Sequence, residues 1–303
     1  MSSQLPPTIE PQAAARWAQQ LPMESAWLHE EVARRMDERL GWIVRQPDNW
    51  VHWDPLRGGL QAQSLLTRRY PQATCYVHQT TEAQMRAVRK HWEKAWWRPA
   101  RWTGPTVRFE PPKQPVQMLW ANMAIHMAQD PMELIRKWHQ AIAVDGFLMF
   151  SCLGPDTLRE LRQLYSRLGW PAPAHEFTDM HDWGDMLVRA GFAEPVMDME
   201  RITLTFSSPA KLLDELRGLG RNLHRDRFGG LRGRQWLARL HSAIGRELVS
   251  SEEPQRLQLT FEVVYGHAFK PAPSLSVAGE SSISLQQMRE TLSAGKARGG
   301  VPR

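Results

Sequence analysis

A doubly wound α/β sheet closed by one antiparallel strand is the fold this sequence predicts, and three observations predict it. Residues 147–152, FLMFSC, form an unbroken apolar run after an Asp145-Gly146 turn, as expected of a strand buried on both faces of a parallel sheet. Short apolar runs alternate with helical spacings from Ser25 to Leu168, the rhythm of strand-helix-strand crossovers. Residues 256–269, RLQLTFEVVYGHAF, alternate polar and apolar side chains and read as the closing antiparallel strand.

Each element follows from local chemistry. Residues before about 25 are rich in Pro, Gln and Ala and predict a loose lead-in. Leu28, Val32, Met36, Leu40 and Ile43 recur every three or four residues, which predicts a helix over 25–43. Pro47 and Asp48 end that region, and 50–53 is a short apolar strand. Residues 60–69 suit a helix that Tyr70-Pro71 breaks, and 74–78 suit a second strand. Prolines 99, 105, 111 and 112 make 96–115 mostly loop. Residues 117–121 form another strand, and Pro131 stands in the first turn of a helix whose Leu134, Ile135, Trp138 and Ile142 share a face.

After the buried run, Gly154-Pro155-Asp156 opens a helix carrying Leu158, Leu161, Tyr165 and Leu168. Residues 182–190 place Trp183, Met186, Leu187 and Ala190 at helical spacing, and Gly191 stands where a helix end favours a left-handed residue. Residues 192–206 then alternate into a strand. Ser208-Pro209 starts a helix with Leu212, Leu213, Leu216 and Leu219, and another runs from about Gln235 through Trp236, Leu240 and Ile244. The expected organisation is a lead-in and cap helix (1–45), a Rossmann-like core (46–207), an inserted helical lid (208–250), the closing strand (251–270) and a disordered tail (271–303) with a weak helix near 283–292.

With 303 residues, 42% of them hydrophobic, the chain has material for one main domain with additions. Cys75 and Cys152 each lie in an apolar run, which fits buried reduced thiols better than a disulfide or a zinc site. The N-terminal residues lack a signal pattern, and no apolar run approaches the ~20 residues that cross a bilayer, so a cytoplasmic protein without a membrane partner is expected. The formal charge of +6 suits either an acidic partner or simple solubility. Arg217, Arg221, Arg225, Arg227, Arg232 and Arg234 cluster, but no nucleic-acid motif accompanies them. His175, His181 and His224 are spaced too irregularly for a zinc pattern, so no metal is expected. Ten of the 14 tryptophans fall between Trp17 and Trp120, in the half where a nucleotide would sit.

Four segments carry a family resemblance: SAWLHEEVARRMDERL from Ser25, GFLMFSCLGPDTLRELR from Gly146, EFTDMHDWGDMLVRAGFAEPVMDMERITLTF from Glu176 and YGHAFKP from Tyr265. Together they resemble the biotin-pathway malonyl-acyl-carrier-protein O-methyltransferase family over about residues 15–270. The resemblance implies a class I methyltransferase sheet, S-adenosyl-L-methionine as cofactor, and methyl transfer to the free carboxylate of a malonyl thioester. It also implies acyl carrier protein as partner, for which the Arg217 to Arg234 cluster is the candidate surface. A mitochondrial complex I assembly factor that hydroxylates an arginine shares these motifs.

The family's first loop reads like V-L-D-x-G-C-G-x-G, and here the corresponding residues are HWDPLRGGL, 52–60. Asp54 and Gly58 keep their places, while Leu56 and Leu60 replace the outer glycines. A leucine forced into a left-handed backbone costs about 1–2 kcal/mol, and Gly59 offers a shifted turn instead. Gln79 stands where the family has an acid on the ribose hydroxyls, so the charge-assisted part of that bond is absent. Two further expected acids fall at Pro105 and Gln117, and the residues that close over the cofactor fall at Pro22 and Met23. Asn122 matches the asparagine of the family's S-N-L-A-L-Q turn.

The candidate cofactor residues are therefore Asp54, Gly58, Gly59, Gln79 and Asn122. A malonyl carboxylate is already a nucleophile and needs orientation rather than a base. Arg159, Arg162, Arg201 and Arg221 are the candidate cations for that task. Beside the methyltransferase reading stands a non-catalytic binding or assembly module of the same fold, or a hydroxylase relative, because the loop has lost family residues.

Overall fold

A computed structural model describes residues 8–21, 25–92 and 106–273. Its strands are β1 Asn49–Trp53, β2 Thr74–His78, β3 Val107–Arg108, β4 Val116–Ala121, β5 Ile142–Leu153, β6 Ala193–Phe206 and β7 Leu257–Phe269. They form one sheet in the order β3-β2-β1-β4-β5-β7-β6, parallel from β3 to β5, with β7 antiparallel to both neighbours. The described helices are α1 Pro11–Gln19, α2 Trp27–Leu40, the single turn α3 Pro55–Gly58, α4 Ala62–Arg69 and α5 Glu82–Trp92. They continue with α6 Pro131–Ala141, α7 Arg159–Arg167, α8 Met180–Arg189, α9 Pro209–Leu219 and α10 Arg234–Glu247.

The predicted buried run lies inside the sheet, between β4 and β7. Alternate residues of β5 enter opposite cores: Phe147 and Met149 pack with Leu28, Met36 and Trp120, whereas Leu148, Phe150 and Cys152 pack with Trp138 and Trp183. At about 1.5–3 kcal/mol for each large side chain buried, these two layers supply the main drive for collapse. Cys75 and Cys152 are both buried free thiols, whose pKa values burial pushes upward. Gly191 takes the left-handed backbone expected of it, with φ +99°. Ser208 caps α9 by accepting from Lys211 N, and Asp130 caps α6 by accepting from Glu133 N at 2.9 Å.

The structure corrects the sequence reading in several places. The lead-in contains a helix, α1, with Pro11 at its first turn and three consecutive alanines behind it. Its Ala14 and Trp17 pack with Ile9 and Leu223 in a small core of their own. Helix α5 was not anticipated, although Thr81 and Gln84 exchange side-chain and backbone bonds as a capping box, a signal present in the sequence. The region expected as loop holds the two-residue strand β3. Helix α7 begins only at Arg159, because Leu158 turns left-handed with φ +59°. Pro22, Met23, Pro99, Pro105 and the expected tail from residue 274 onward lie outside the described residues.

Candidate active site at the strand ends

In an open parallel sheet, ligands bind beyond the carboxyl ends of the strands where the order reverses, here beside β1, β2 and β4. The sequence-predicted residues Asp54, Gly58, Gly59, Gln79 and Asn122 meet at this point. Asp54 follows β1, bonds its N–H to His78 O at 2.9 Å and takes a left-handed φ of +49°. Its carbonyl accepts from Gly58 N at 2.9 Å, closing the turn α3. Gly59, at φ +111°, supplies the other left-handed residue, so Leu56 is spared that strain and instead faces the core. The shifted turn expected of Gly59 is what forms.

Around this turn the polar groups are satisfied from within. Asn122 Nδ2 donates to His29 O at 2.8 Å and to Gly58 O, while its Oδ1 accepts from Ser151 Oγ at 2.5 Å. A methyl group on Gly58 would meet Asn122 O at 2.7 Å, so this glycine is required for packing inside the chain. Gln79, with its amide oriented to satisfy the network, donates to Asp54 Oδ1 at 3.0 Å and accepts from Leu56 N at 3.2 Å. Gln117 plays no part here: it lies at the opposite end of β4, where its Oε1 accepts from Asp48 N at 2.5 Å.

Arg57 and Glu30 complete the arrangement. The Arg57 guanidinium donates to Asp54 Oδ2 at 3.1 Å and to the carbonyls of Trp17 and Gln20, each at 2.6 Å, with the Trp17 ring 4.7 Å away. Burial pushes the Asp54 carboxyl up and Arg57 opposes that push. Glu30, on α2, accepts from Leu60 N at 2.8 Å and Gln61 N at 3.1 Å, the free N–H groups ahead of α4. His29 bonds through Nδ1 to Arg57 O at 2.6 Å, and desolvation lowers its pKa to about 4. Neither Arg57 nor Glu30 was read from the sequence; the arginine's place between Asp54 and the glycine pair was the available signal.

A second feature lies beside the inserted helix α9. A cavity of about 250 Å³ is lined by Leu153, Leu158, Leu161, Leu216 and Phe261, with Arg217, Arg221 and Asn222 also in its wall. His126 and His175 line it as well, and each leaves a buried Nδ1 without a partner. Desolvation lowers the pKa of His175 to about 4 and holds that of His126 well below its ordinary value, so both rings are neutral at pH 7.

The four candidate arginines do not converge. Arg221 lines the cavity, bonds backbone carbonyls and stands 5.7 Å from the Trp17 ring. Arg159 is half exposed beside Glu160, and Arg201 is held on the surface by Asp156 at 2.7 Å. Arg162 is half buried, donates to His175 O at 3.0 Å and covers Phe177. Arg159 and Arg201 form surface ion pairs, and neither lines the cavity. Among the described residues there is no cluster of three His, Cys, Asp or Glu suited to a metal, and no helix long and apolar enough to cross a membrane.

Comparison with known proteins places these observations in a context. A malonyl-acyl-carrier-protein O-methyltransferase of Laribacter hongkongensis is 36% identical over 259 residues, 82% of this chain and 84% of that protein. Its counterparts in Gallionella capsiferriformans (36% over 270 residues, 86% and 89%) and Nitrosospira multiformis (34% over 271 residues, 84% and 86%) match as broadly. No family model matches the sequence. Among solved structures, a putative methyltransferase from Bacillus halodurans superposes with a TM-score of 0.50 at 12% identity, covering 80% of this chain and all of that one. The YcgJ protein of Bacillus subtilis does so with a TM-score of 0.50 at 13% identity, covering 80% and 99%. These two likenesses establish the fold alone.

Proposed function

This chain belongs to the malonyl-acyl-carrier-protein O-methyltransferase family, and from that premise we propose that it methylates the free carboxylate of a malonyl thioester on acyl carrier protein, a step of biotin synthesis, with S-adenosyl-L-methionine as donor. The observation that carries this reading is identity of 34–36% maintained over more than four fifths of the chain and of each relative. The fold agrees, since its sheet carries the antiparallel strand β7 next to the edge strand β6, with two helices inserted between them in the chain.

The acceptor side follows from the chain's own residues. A carboxylate needs no general base, so the task is to orient it and keep water away. Arg221, in the cavity wall and bonded to backbone carbonyls, is the cation this reading assigns to the anion, while Arg217 in the same wall is paired with Asp214. The leucines and Phe261 exclude water, while a carboxylate buried among them without a cation would be heavily penalised. Arg225 and Arg234, on and after the same inserted segment, extend the positive surface toward an acidic carrier.

On the donor side the residue types are suitable, but in this conformation they lack room. Asp54, Gln79, Asn122 and the N–H groups after Gly59 are all bonded to other parts of the chain. The wide groove of about 1270 Å³ that passes Trp17, Glu30 and Arg221 has none of Asp54, Gly58, Gly59, Gln79 or Asn122 in its wall.

The test is to incubate the purified chain with malonyl-acyl carrier protein and S-adenosyl-L-methionine and to weigh the carrier by mass spectrometry. Appearance of the methyl ester is the expected result, with Arg221→Ala raising KM for the carrier. Absence of ester, together with failure to support growth of a biotin auxotroph lacking its own methyltransferase, would remove the proposal.

A further inference from the structure

The donor's amino-acid end carries one carboxylate and one ammonium group, and the strand-end turn of this chain already holds one of each charge from its own side chains. The anion is Glu30. Its two oxygens take the N–H groups of Leu60 and Gln61, and a methyl group on Gly59 would meet Glu30 Oε2 at 2.9 Å. The cation is Arg57, bound to Asp54 and roofed by Trp17. The two belong to separate elements, Glu30 to α2 and Arg57 to α3.

The roof is itself fastened. Gln84 Nε2, buried in α5, donates to Ala18 O and Gln20 O at 2.9 Å each, so the carbonyls that end α1 are shared between Arg57 and Gln84. At its other end the strap is tied by Glu10 N to Leu223 O and Arg225 N to Thr8 O, both at 2.8 Å, and by the Glu10–Arg227 ion pair at 2.6 Å. A segment held at both ends over an internal cation is a closed cover.

Resting on the family reading of the donor, we propose that Glu30 and Arg57 are internal stand-ins for the two charges of the donor's amino-acid end, and that the strap of residues 10–20 latches Arg57 in a closed state which donor binding must displace. The groups that would recognise the ligand are thereby kept satisfied without it, which avoids the penalty of unpaired buried polar atoms. The cost is affinity, because a ligand that binds only the open form is weakened by the open fraction.

The experiment measures S-adenosylhomocysteine binding by calorimetry and amide exchange over residues 11–20, in the full chain and in the variants Glu30→Gln, Arg57→Ala and Gln84→Ala. Arg57→Ala and Glu30→Gln are expected to bind ~10-fold tighter than the natural chain, the shift that removing a 10:1 bias to the closed state produces. Gln84→Ala touches neither Asp54 nor Glu30, removes the bond to Thr81 N as well as those to the strap, and is expected to bind ~3-fold tighter, with faster exchange over 11–20 before ligand is added. It keeps the test valid if Arg57→Ala leaves Asp54 unpaired and fails to fold. If the natural chain binds as tightly as every folded variant, or ligand leaves exchange over the strap unchanged, the latch is overturned. Loss of methyl transfer with the affinity series intact would overturn the reaction instead.

Discussion

Three buried histidines should make this protein lose stability steeply in mild acid. His29, His52 and His175 are at most 4% exposed, and desolvation holds each near pKa 4 against an ordinary value of 6.5. Each keeps one ring nitrogen bonded, His52 through Gln63 Oε1 at 3.1 Å, and leaves the other buried without a partner. The unfolded chain therefore takes up protons first. Stability is full above pH 6.5 and is lost as pH falls from 6.5 toward 4. At 1.36 kcal/mol per pKa unit, one such ring costs about 2 kcal/mol by pH 5, and three cost about 6 if nothing relaxes. Structural relaxation and water entry reduce this to roughly 3–6 kcal/mol, still a large share of the 5–15 kcal/mol typical of a folded domain.

The assay is urea denaturation at several values between pH 7.5 and 5, followed by tryptophan fluorescence and circular dichroism. The comparison that isolates one ring is His52→Asn, read by slope rather than by absolute stability, since the substitution also alters packing against Trp50 and Trp92. Its stability should fall with pH less steeply than the natural chain by about 1 kcal/mol per unit between pH 6.5 and 5. A natural chain whose stability is flat over that interval, or a variant with the same slope, would refute the reasoning.

Four other outcomes follow from the packing and the caps. Trp183→Ala empties a fully buried site and should cost about 3–5 kcal/mol in denaturant unfolding. Asp130→Ala removes the bond to Glu133 N and should lower stability by about 1 kcal/mol, while Asp130→Ser should restore most of it. Gly191→Ala forces a side chain into φ +99° against His139, 3.1 Å away, and should lower the melting temperature with a cost of about 1–2 kcal/mol. Arg225→Glu with Arg234→Glu should weaken binding of acyl carrier protein and flatten its salt dependence, with unfolding unchanged.

The fold was legible where local chemistry and tertiary burial agree. Strand β2 lies at residues 74–78 as read, Gly191 turns left-handed, and the run after Gly146 sits between two cores because both its faces are apolar. Helix α1 was missed because proline and glutamine near a terminus suggest loose chain, whereas Trp17 and Leu223 give that helix something to cover. The candidate cleft was legible in part. Asp54, Gly58, Gly59, Gln79 and Asn122 do meet, since each lies at or just beyond a strand end and parallel pairing aligns those ends. Glu30 and Arg57 escaped notice because their roles exist only once α2 lies against the turn; no spacing within either segment encodes that. The candidate arginines are scattered for a similar reason: Arg159 and Arg201 meet Glu160 and Asp156, whereas Arg162 and Arg221 meet backbone carbonyls that tertiary packing brings near.

The place of β7 carries a consequence for how the chain is made. Among the described residues it is the last strand to leave the ribosome, yet it lies between β5 and β6 and pairs with β6 along nearly its whole length. Until residues 257–269 emerge, β6 has no neighbour on the sheet side and β5 keeps a bare apolar edge. Synthesis therefore passes through an interval, spanning both inserted helices, in which two unpaired strand edges await a single insert. Slowing translation across 208–256 should prolong that interval and raise aggregation of the nascent chain, and any stop before residue 257 should yield insoluble product rather than a smaller folded core.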